Sequence, residues 1–205
     1  MDLLLIRHAE PVRVASGEGG DGPVDPPLTP AGREQATRLA AWLAGESIDA
    51  VVSSPMKRAT ETAAPVADAL GLAVEVVPDL VEYDAATDHY IPAEELRATG
   101  DERWLAMVEG RWEDFGGERP DIFQARIVAC VDALIERFAG QRVATVCHGG
   151  VINVYLGSLL ELARPLWFEP GYTSISRVVA SRTGVRSLVT LNEGAHLVGV
   201  REVTG

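Results

Sequence analysis

Asp2-Leu3-Leu4-Leu5-Ile6-Arg7-His8 opens the chain, and its reading decides the fold. Leu3 to Ile6 form a continuous apolar run with no polar alternation, which fits a central strand buried on both faces. Two basic side chains, Arg7 and His8, stand at its carboxyl end. The same grammar recurs downstream. Asp49 to Ser53 reads as a strand that runs through Ser53-Ser54-Pro55-Met56-Lys57-Arg58 into a helix. Arg142 to Cys147 reads as another, which closes on His148-Gly149-Gly150. Strand-to-helix junctions therefore present two histidines and two arginines. In an open α/β sheet, ligands bind in the crevice outside the carboxyl ends of the strands. Such a cluster suits a dianion with a nucleophile aimed at it, so phosphate chemistry leads.

Working outward, a helix is expected after Thr29, with Thr29 as its N-cap, Pro30 at its first position and Gly45 at its end. Ala36, Leu39, Ala40 and Leu43 give it one apolar face. A second helix should span Lys57 to Leu70, kinked or restarted at Pro65. Leu72 to Val77 is read as a strand, Asp121 to Phe138 as an amphipathic helix, and Val151 to Leu162 as the helix after His148. Tyr172–Ser181 and Val185–Leu191 read as a hairpin turning at Thr183-Gly184. Glu10 to Pro27 is a loop near the site, holding Gly17, Gly19, Gly20 and Gly22. Residues 80–117 have weak periodicity and read as an insertion, helical from Pro92 to Val108, that covers the pocket. The expected architecture is one domain over residues 1–205. It is a three-layer α/β/α fold with a mostly parallel central sheet, an antiparallel edge and the 80–117 segment as a partly helical cap.

The length of 205 residues suits one well-buried domain. At 47% hydrophobic and 23% charged residues the composition is that of a soluble globule, without an apolar run of membrane-spanning length. The start of the chain has no basic leader or small-residue cleavage site. Cys130 and Cys147 form neither a disulfide framework nor a CxxC pair. A cytoplasmic enzyme fits these features. A net charge of −12 and a pI near 4.7 repel nucleic acid and anionic membranes. The expected partner is a small phosphorylated substrate; the oligomeric state stays open, a homodimer included.

Other devices are excluded by their signatures. GxxxxGK[ST], HExxH and GxSxG are all absent. Cys147 lacks the arginine six residues on that a cysteine phosphatase loop needs, since that position is Asn153. It is read as the last inward side chain of a buried strand. Histidine remains, and a neutral imidazole is a competent nucleophile at neutral pH. Arginine, imidazole and the N–H groups of Gly149-Gly150 would stabilise a phosphoryl group in flight. A general acid is also required. Glu82 is the best-placed candidate, with Asp79 and Asp84 as neighbours that sequence alone leaves open. His196 reads as a structural hydrogen-bonder, His89 as solvated, and Trp104 and Trp112 as packing within the insertion.

Four ordered motifs carry a resemblance: Leu4-Leu5-Ile6-Arg7-His8-Ala9-Glu10, Leu28-Thr29-Pro30-Ala31-Gly32-Arg33-Glu34-Gln35-Ala36, Ser53-Ser54-Pro55-Met56-Lys57-Arg58-Ala59-Thr60-Glu61-Thr62-Ala63, and His148-Gly149. Together they resemble the histidine phosphatase superfamily, the phosphoglycerate mutase-like group. The resemblance implies that His8 is the residue phosphorylated. Arg7, Arg58 and His148 would complete the phosphate pocket, and Glu82 would be the proton donor, with no metal or organic cofactor. Three departures stand out. Ala9 replaces the usual glycine and crowds the loop slightly. Pro11 and Val14 replace the Thr and Asn of the RHGETxxN pattern, which implies one lost phosphate contact that Arg13 or the glycine loop would supply. Glu82-Tyr83-Asp84 stands where dedicated mutases carry an ERHYG-like segment. The expectation is a phosphomonoesterase acting through phosphohistidine. A phosphoglycerate mutase is the alternative, and an inert phospho-ligand binder is disfavoured by the intact Arg7, His8, Arg58 and His148.

Overall fold

The first strand, β1 (Asp2–Arg7), lies inside the sheet, parallel to β4 (Arg142–Cys147) on one side and antiparallel to β5 (Ile175–Ala180) on the other. This computed structural model describes residues 1–19 and 22–198, so Gly20 of the glycine loop lies outside the described residues. Beyond β4 come β2 (Ala50–Ser53) and β3 (Val74–Val76), both parallel. The antiparallel β6 (Arg186–Glu193) follows β5, giving the order β3-β2-β4-β1-β5-β6.

The unbroken apolar run of β1 has a direct structural cause. Leu3 and Leu5 pack on one side with Val143, Phe123, Ile127 and Val151, from β4 and the helices α5 (Pro120–Arg137) and α6 (Gly149–Leu159). Leu4 and Ile6 pack on the other with Leu39, Leu43, Ala59 and Ala63, from α1 (Pro30–Leu43) and α2 (Lys57–Leu70). All four strand residues are buried. Each contributes about 1.5–3 kcal/mol of transfer free energy, so a charge at any of them would break the strand. The three-layer arrangement follows from this two-sided burial.

Thr29 caps α1 as expected, its hydroxyl oxygen accepting the Gly32 N–H at 2.9 Å. A Cβ on Gly32 would sit 2.1 Å from the Glu10 carbonyl, so glycine is what lets the loop after β1 lie against this helix. Pro65 does not interrupt α2, contrary to the expected kink or restart. The lost N–H costs about 3 kcal/mol. Buried Ala59, Ala63, Val66 and Ala67 hold the helix against the sheet on both sides of the proline. Between β3 and α5 stand α3 (Ala93–Thr99), α4 (Glu102–Glu109) and a 3₁₀ turn at Trp112–Phe115. Elsewhere boundaries shift by a few residues. β3 is shorter than Leu72–Val77, α6 begins at Gly149 and ends at Leu159, and β5 begins at Ile175 because residues 170–174 are used to clamp the end of β1. There the Arg7 N–H donates to the Ser174 carbonyl at 3.2 Å, and the Thr173 N–H donates back to the Arg7 carbonyl at 3.0 Å.

Among the described residues, no helix is long and apolar enough to cross a membrane.

Candidate active site

Register places the chemistry. Arg7 pairs with Cys147 across β1 and β4, and Ser53 pairs with Val146 across β2 and β4. His8 and His148 therefore leave neighbouring strands at the same height, with ring centroids 5.2 Å apart, while Ser54 and Arg58 follow from the next strand.

His8 is buried, and its Nδ1 lies 2.7 Å from the Ala9 carbonyl. A carbonyl only accepts, so the proton resides on Nδ1 and Nε2 carries the free lone pair. Burial, and then the charges of Arg58 and Arg7, push the His8 pKa well below the usual imidazole range. The ring is neutral at pH 7, the state a nucleophile requires. Ala9 is itself wholly buried against Leu28 and Ala36. Its N–H donates to Thr62 Oγ1 at 2.9 Å, so the methyl is absorbed by the core and does not crowd the site.

His148 is wholly buried and stands behind His8, outside the cavity walls. Its Nε2 shares a hydrogen bond with Ser54 Oγ at 2.7 Å, and its Nδ1 has no partner among the described residues. Burial and the Arg58 charge lower its pKa strongly as well.

The two arginines are fixed by different neighbours. Arg7 donates through Nη1 to the Pro170 carbonyl at 2.6 Å and lies over the Tyr172 ring at 4.0 Å. The Glu94 carboxylate is 3.9 Å away. Arg58 is 1% exposed, donates to Asp84 at 3.1 Å and lies 4.7 Å from the Tyr90 ring centroid. Both Nε atoms are buried without a partner among the described residues. Buried donors left unpaired cost about 1–3 kcal/mol each, and an anion bound between the two guanidinia would relieve that cost.

Glu82 is 7% exposed and accepts the N–H of Gly150 at 2.7 Å and that of Tyr83 at 3.1 Å. Burial and the nearby Asp84 charge outweigh those donors and Arg58, raising its pKa to about 7. At neutral pH such a carboxyl exchanges a proton in either direction. Gly150 is obligatory here, since a Cβ would lie 2.3 Å from Glu82 Oε1. The expectation of unobstructed N–H groups at the start of α6 is corrected accordingly: the Gly150 N–H is taken by Glu82.

Arg7, His8, Arg58, Glu82 and Gly149 thus share the wall of one cavity of about 330 Å³. Arg13 is not brought there. It is half-exposed, bonded to Glu95 at 2.8 Å, and absent from the cavity lining. Val14 instead pairs its backbone with Tyr90. Asp79 is exposed and outside the cavity, whereas Asp84 lines it beside Arg58. Cys147 lies in the core beneath the site, its thiol pKa pushed far up by burial. His196 bonds Thr173 Oγ1 at 3.0 Å, the structural role expected of it. His89, Trp104 and Trp112 all line the cavity, beyond the solvated or packing roles expected for them. Trp112 also packs as foreseen, stacked on Tyr83 at 4.1 Å.

Sequence reasoning missed Tyr90, Tyr172 and Asn153. Asn153 is 1% exposed; its amide donates to the Gly149 and Phe168 carbonyls at 2.9 and 3.0 Å, and its oxygen accepts the Trp167 and Phe168 N–H groups at 2.9 and 3.2 Å. The available signal was a polar residue on the otherwise apolar α6.

Residues 3–194 match the profile of the histidine phosphatase superfamily (branch 1), and the chain belongs to that family. It is 33% identical over 169 residues to phosphoglycerate mutase-like protein 4 of Arabidopsis thaliana, covering 80% of this chain and 71% of that one. Phosphoserine phosphatase of Entamoeba histolytica, in complex with phosphoserine, superposes with a TM-score of 0.76 at 25% identity, over 96% of this chain and 99% of that one. Alpha-ribazole phosphatase from Shigella flexneri gives a TM-score of 0.71 at 27% identity, over 94% and 96%. Family and neighbours are phosphatases or mutases, and this chain is an enzyme of that phosphoryl-handling class.

Proposed function

We propose that the chain is a cofactor-independent phosphomonoesterase that works by double displacement. The observation that carries this reading is a neutral His8 with its proton fixed on Nδ1, lining one cavity with two arginines and a carboxyl of pKa about 7. His8 Nε2 attacks phosphorus as the ester P–O bond breaks, and Glu82 protonates the departing oxygen. Water then attacks phospho-His8 and gives its proton to the Glu82 carboxylate. The P–N bond breaks, releasing phosphate and restoring neutral His8. Arg7 and Arg58 hold the equatorial oxygens through both steps. His148 backs His8 and adds its unpartnered Nδ1 to the pocket.

In this reading residues 80–117 cap the site within a single domain. The acidic surface suits a cytoplasmic enzyme whose partner is a small phosphorylated molecule. Hydrolysis is favoured over mutase transfer because Glu82-Tyr83-Asp84 replaces the segment of dedicated mutases. Brief incubation with ³²P-labelled substrate should leave an acid-labile phosphoryl group on His8, followed by free phosphate. A label that survives acid, or maps elsewhere, overturns the assignment.

A further inference from the structure

The cavity has two zones, and only the floor has been given a task. Its outer wall comes from α3, α4, the Trp112–Phe115 turn and the stretch before Pro170. Trp104, Met107, Val108, Phe115, Trp167 and Phe168 line it, each only half-buried. These residues do not complete the core, so the apolar surface they expose faces whatever is attached to the phosphate.

The polar groups of that wall are already occupied. Arg97 is paired with Glu169 at 2.5 Å, Arg103 with Asp101 at 2.6 Å, and Arg111 with both Glu109 and Asp114. His89 bonds Asp88 at 2.9 Å. The Thr87 hydroxyl faces the Asp84 and His89 carbonyls, both at 2.8 Å. The Asn153 amide is committed to the backbone, and the indole N–H groups of Trp112 and Trp167 donate to carbonyls. Arg164 has no ion pair among the described residues, but it sits exposed at the rim.

We infer that the physiological substrate is a phosphomonoester of an uncharged aromatic or other flat apolar alcohol. The inference rests on the phosphomonoesterase reading and supplies its substrate class. A carboxylated alcohol would need an unpaired cation in the wall, and would meet Glu94 and Glu169 there. A sugar would need several fixed, free donors, and would otherwise leave its own hydroxyls desolvated. The groups without a protein partner are the Tyr83 and Tyr90 hydroxyls and the Trp104 indole N–H, polar tips on aromatic rings that suit one hydroxyl or ring nitrogen.

The test compares primary alkyl esters of differing bodies, so that leaving-group chemistry stays nearly constant. Wild-type kcat/KM should be roughly a hundredfold higher for benzyl phosphate than for 3-phosphoglycerate or glucose 6-phosphate, the scale of burying one aromatic ring. Trp104→Ala should lower the benzyl-to-phosphoglycerate ratio roughly tenfold, for the same reason. Calorimetry with non-hydrolysable probes gives a readout independent of turnover: benzylphosphonate should bind the wild-type protein more tightly than 2-carboxyethylphosphonate. A carboxylated probe that binds equally or better, binding of neither, or a ratio unmoved by Trp104→Ala overturns the inference. The phosphohistidine label on His8 is scored separately. Labelling without aromatic preference sinks this inference alone, and aromatic preference without labelling sinks the double-displacement reading alone.

Discussion

The floor and the wall of the cavity are built by different means. Side chains of the floor leave the ends of β1, β2 and β4, whose ladder fixes Arg7 opposite Cys147 and Ser53 opposite Val146. Their positions follow from sheet register, and their charges are left without full pairing. The wall stands on two short helices, a 3₁₀ turn and a loop, with its arginines neutralised by adjacent carboxylates. Stiff elements with unsatisfied charge define a reaction, whereas short elements with satisfied charge define what the reaction is done to. Perturbations of the two regions should separate accordingly.

The largest effect belongs to the floor. His8→Ala removes the attacking nitrogen and should lower kcat by roughly 10³-fold or more, because both half-reactions pass through it. Rapid-quench measurement of phosphate release checks this, and substantial residual turnover would mean that water attacks the ester directly. Arg58→Ala comes next, with a loss of about 2–4 kcal/mol in transition-state stabilisation, on the scale of one oxyanion donor. Arg58 also pairs with Asp84 at 3.1 Å inside the protein, so thermal unfolding must be measured alongside kcat/KM. A fall in Tm with unchanged kcat/KM would reduce Arg58 to a structural cation.

The floor was legible in the sequence because strand ends are marked there. An apolar run followed by Arg7-His8, and another followed by His148-Gly149, place side chains at the crevice whatever the rest of the chain does. Glu82 was within reach for a similar reason, lying just after the third strand. The wall was not legible, because Trp104 and Phe115 become cavity residues only through the packing of α3 and α4 over the sheet, which no local period encodes. Arg13 was misjudged on the same ground. Sequence proximity to His8 suggested a phosphate contact, but the pairing of Val14 with Tyr90 and of Arg13 with Glu95 takes it elsewhere. Pro65 illustrates the converse, a strong local signal overridden by tertiary burial of its neighbours.

Glu82 gives an intermediate effect that depends on substrate and pH. Its folded pKa of about 7 lies above the ordinary carboxyl value, so the acid form persists at neutral pH and is lost as pH rises through 7. An alkyl phosphate needs that proton, and its single-turnover phosphorylation rate should fall above pH 7. An aryl phosphate with an acidic phenol barely needs it. The aryl substrate should instead slow below pH 7, where the carboxylate that activates water for dephosphorylation becomes protonated. Glu82→Gln should therefore cost roughly tenfold more on an alkyl phosphate than on p-nitrophenyl phosphate, the scale of one proton transfer lost. Gly150→Ala should mimic it, because the added methyl displaces the Glu82 carboxylate. If Asp84→Asn shows the leaving-group dependence and Glu82→Gln does not, the acid is Asp84.

The smallest effect tests whether floor and wall are joined. Asn153 binds the Gly149 carbonyl on the floor side and the backbone of Trp167 and Phe168 on the wall side. Two residues beyond Phe168, the Pro170 carbonyl accepts from Arg7 at 2.6 Å. Asn153→Ala leaves the Trp167 and Phe168 N–H groups without their acceptor, which should cost about 1–3 kcal/mol of stability. The loosened loop then holds both Arg7 and the apolar wall less firmly. KM for benzyl phosphate should rise a few-fold, on the order of 1 kcal/mol of binding, while kcat stays nearly constant because His8 and Glu82 are untouched. Asn153→Asp retains the acceptor oxygen but not the two N–H donors, and should recover part of the loss in KM. A fall in kcat at constant KM would show instead that Asn153 acts through α6 and Gly149 on the chemistry, making the two regions one mechanical unit.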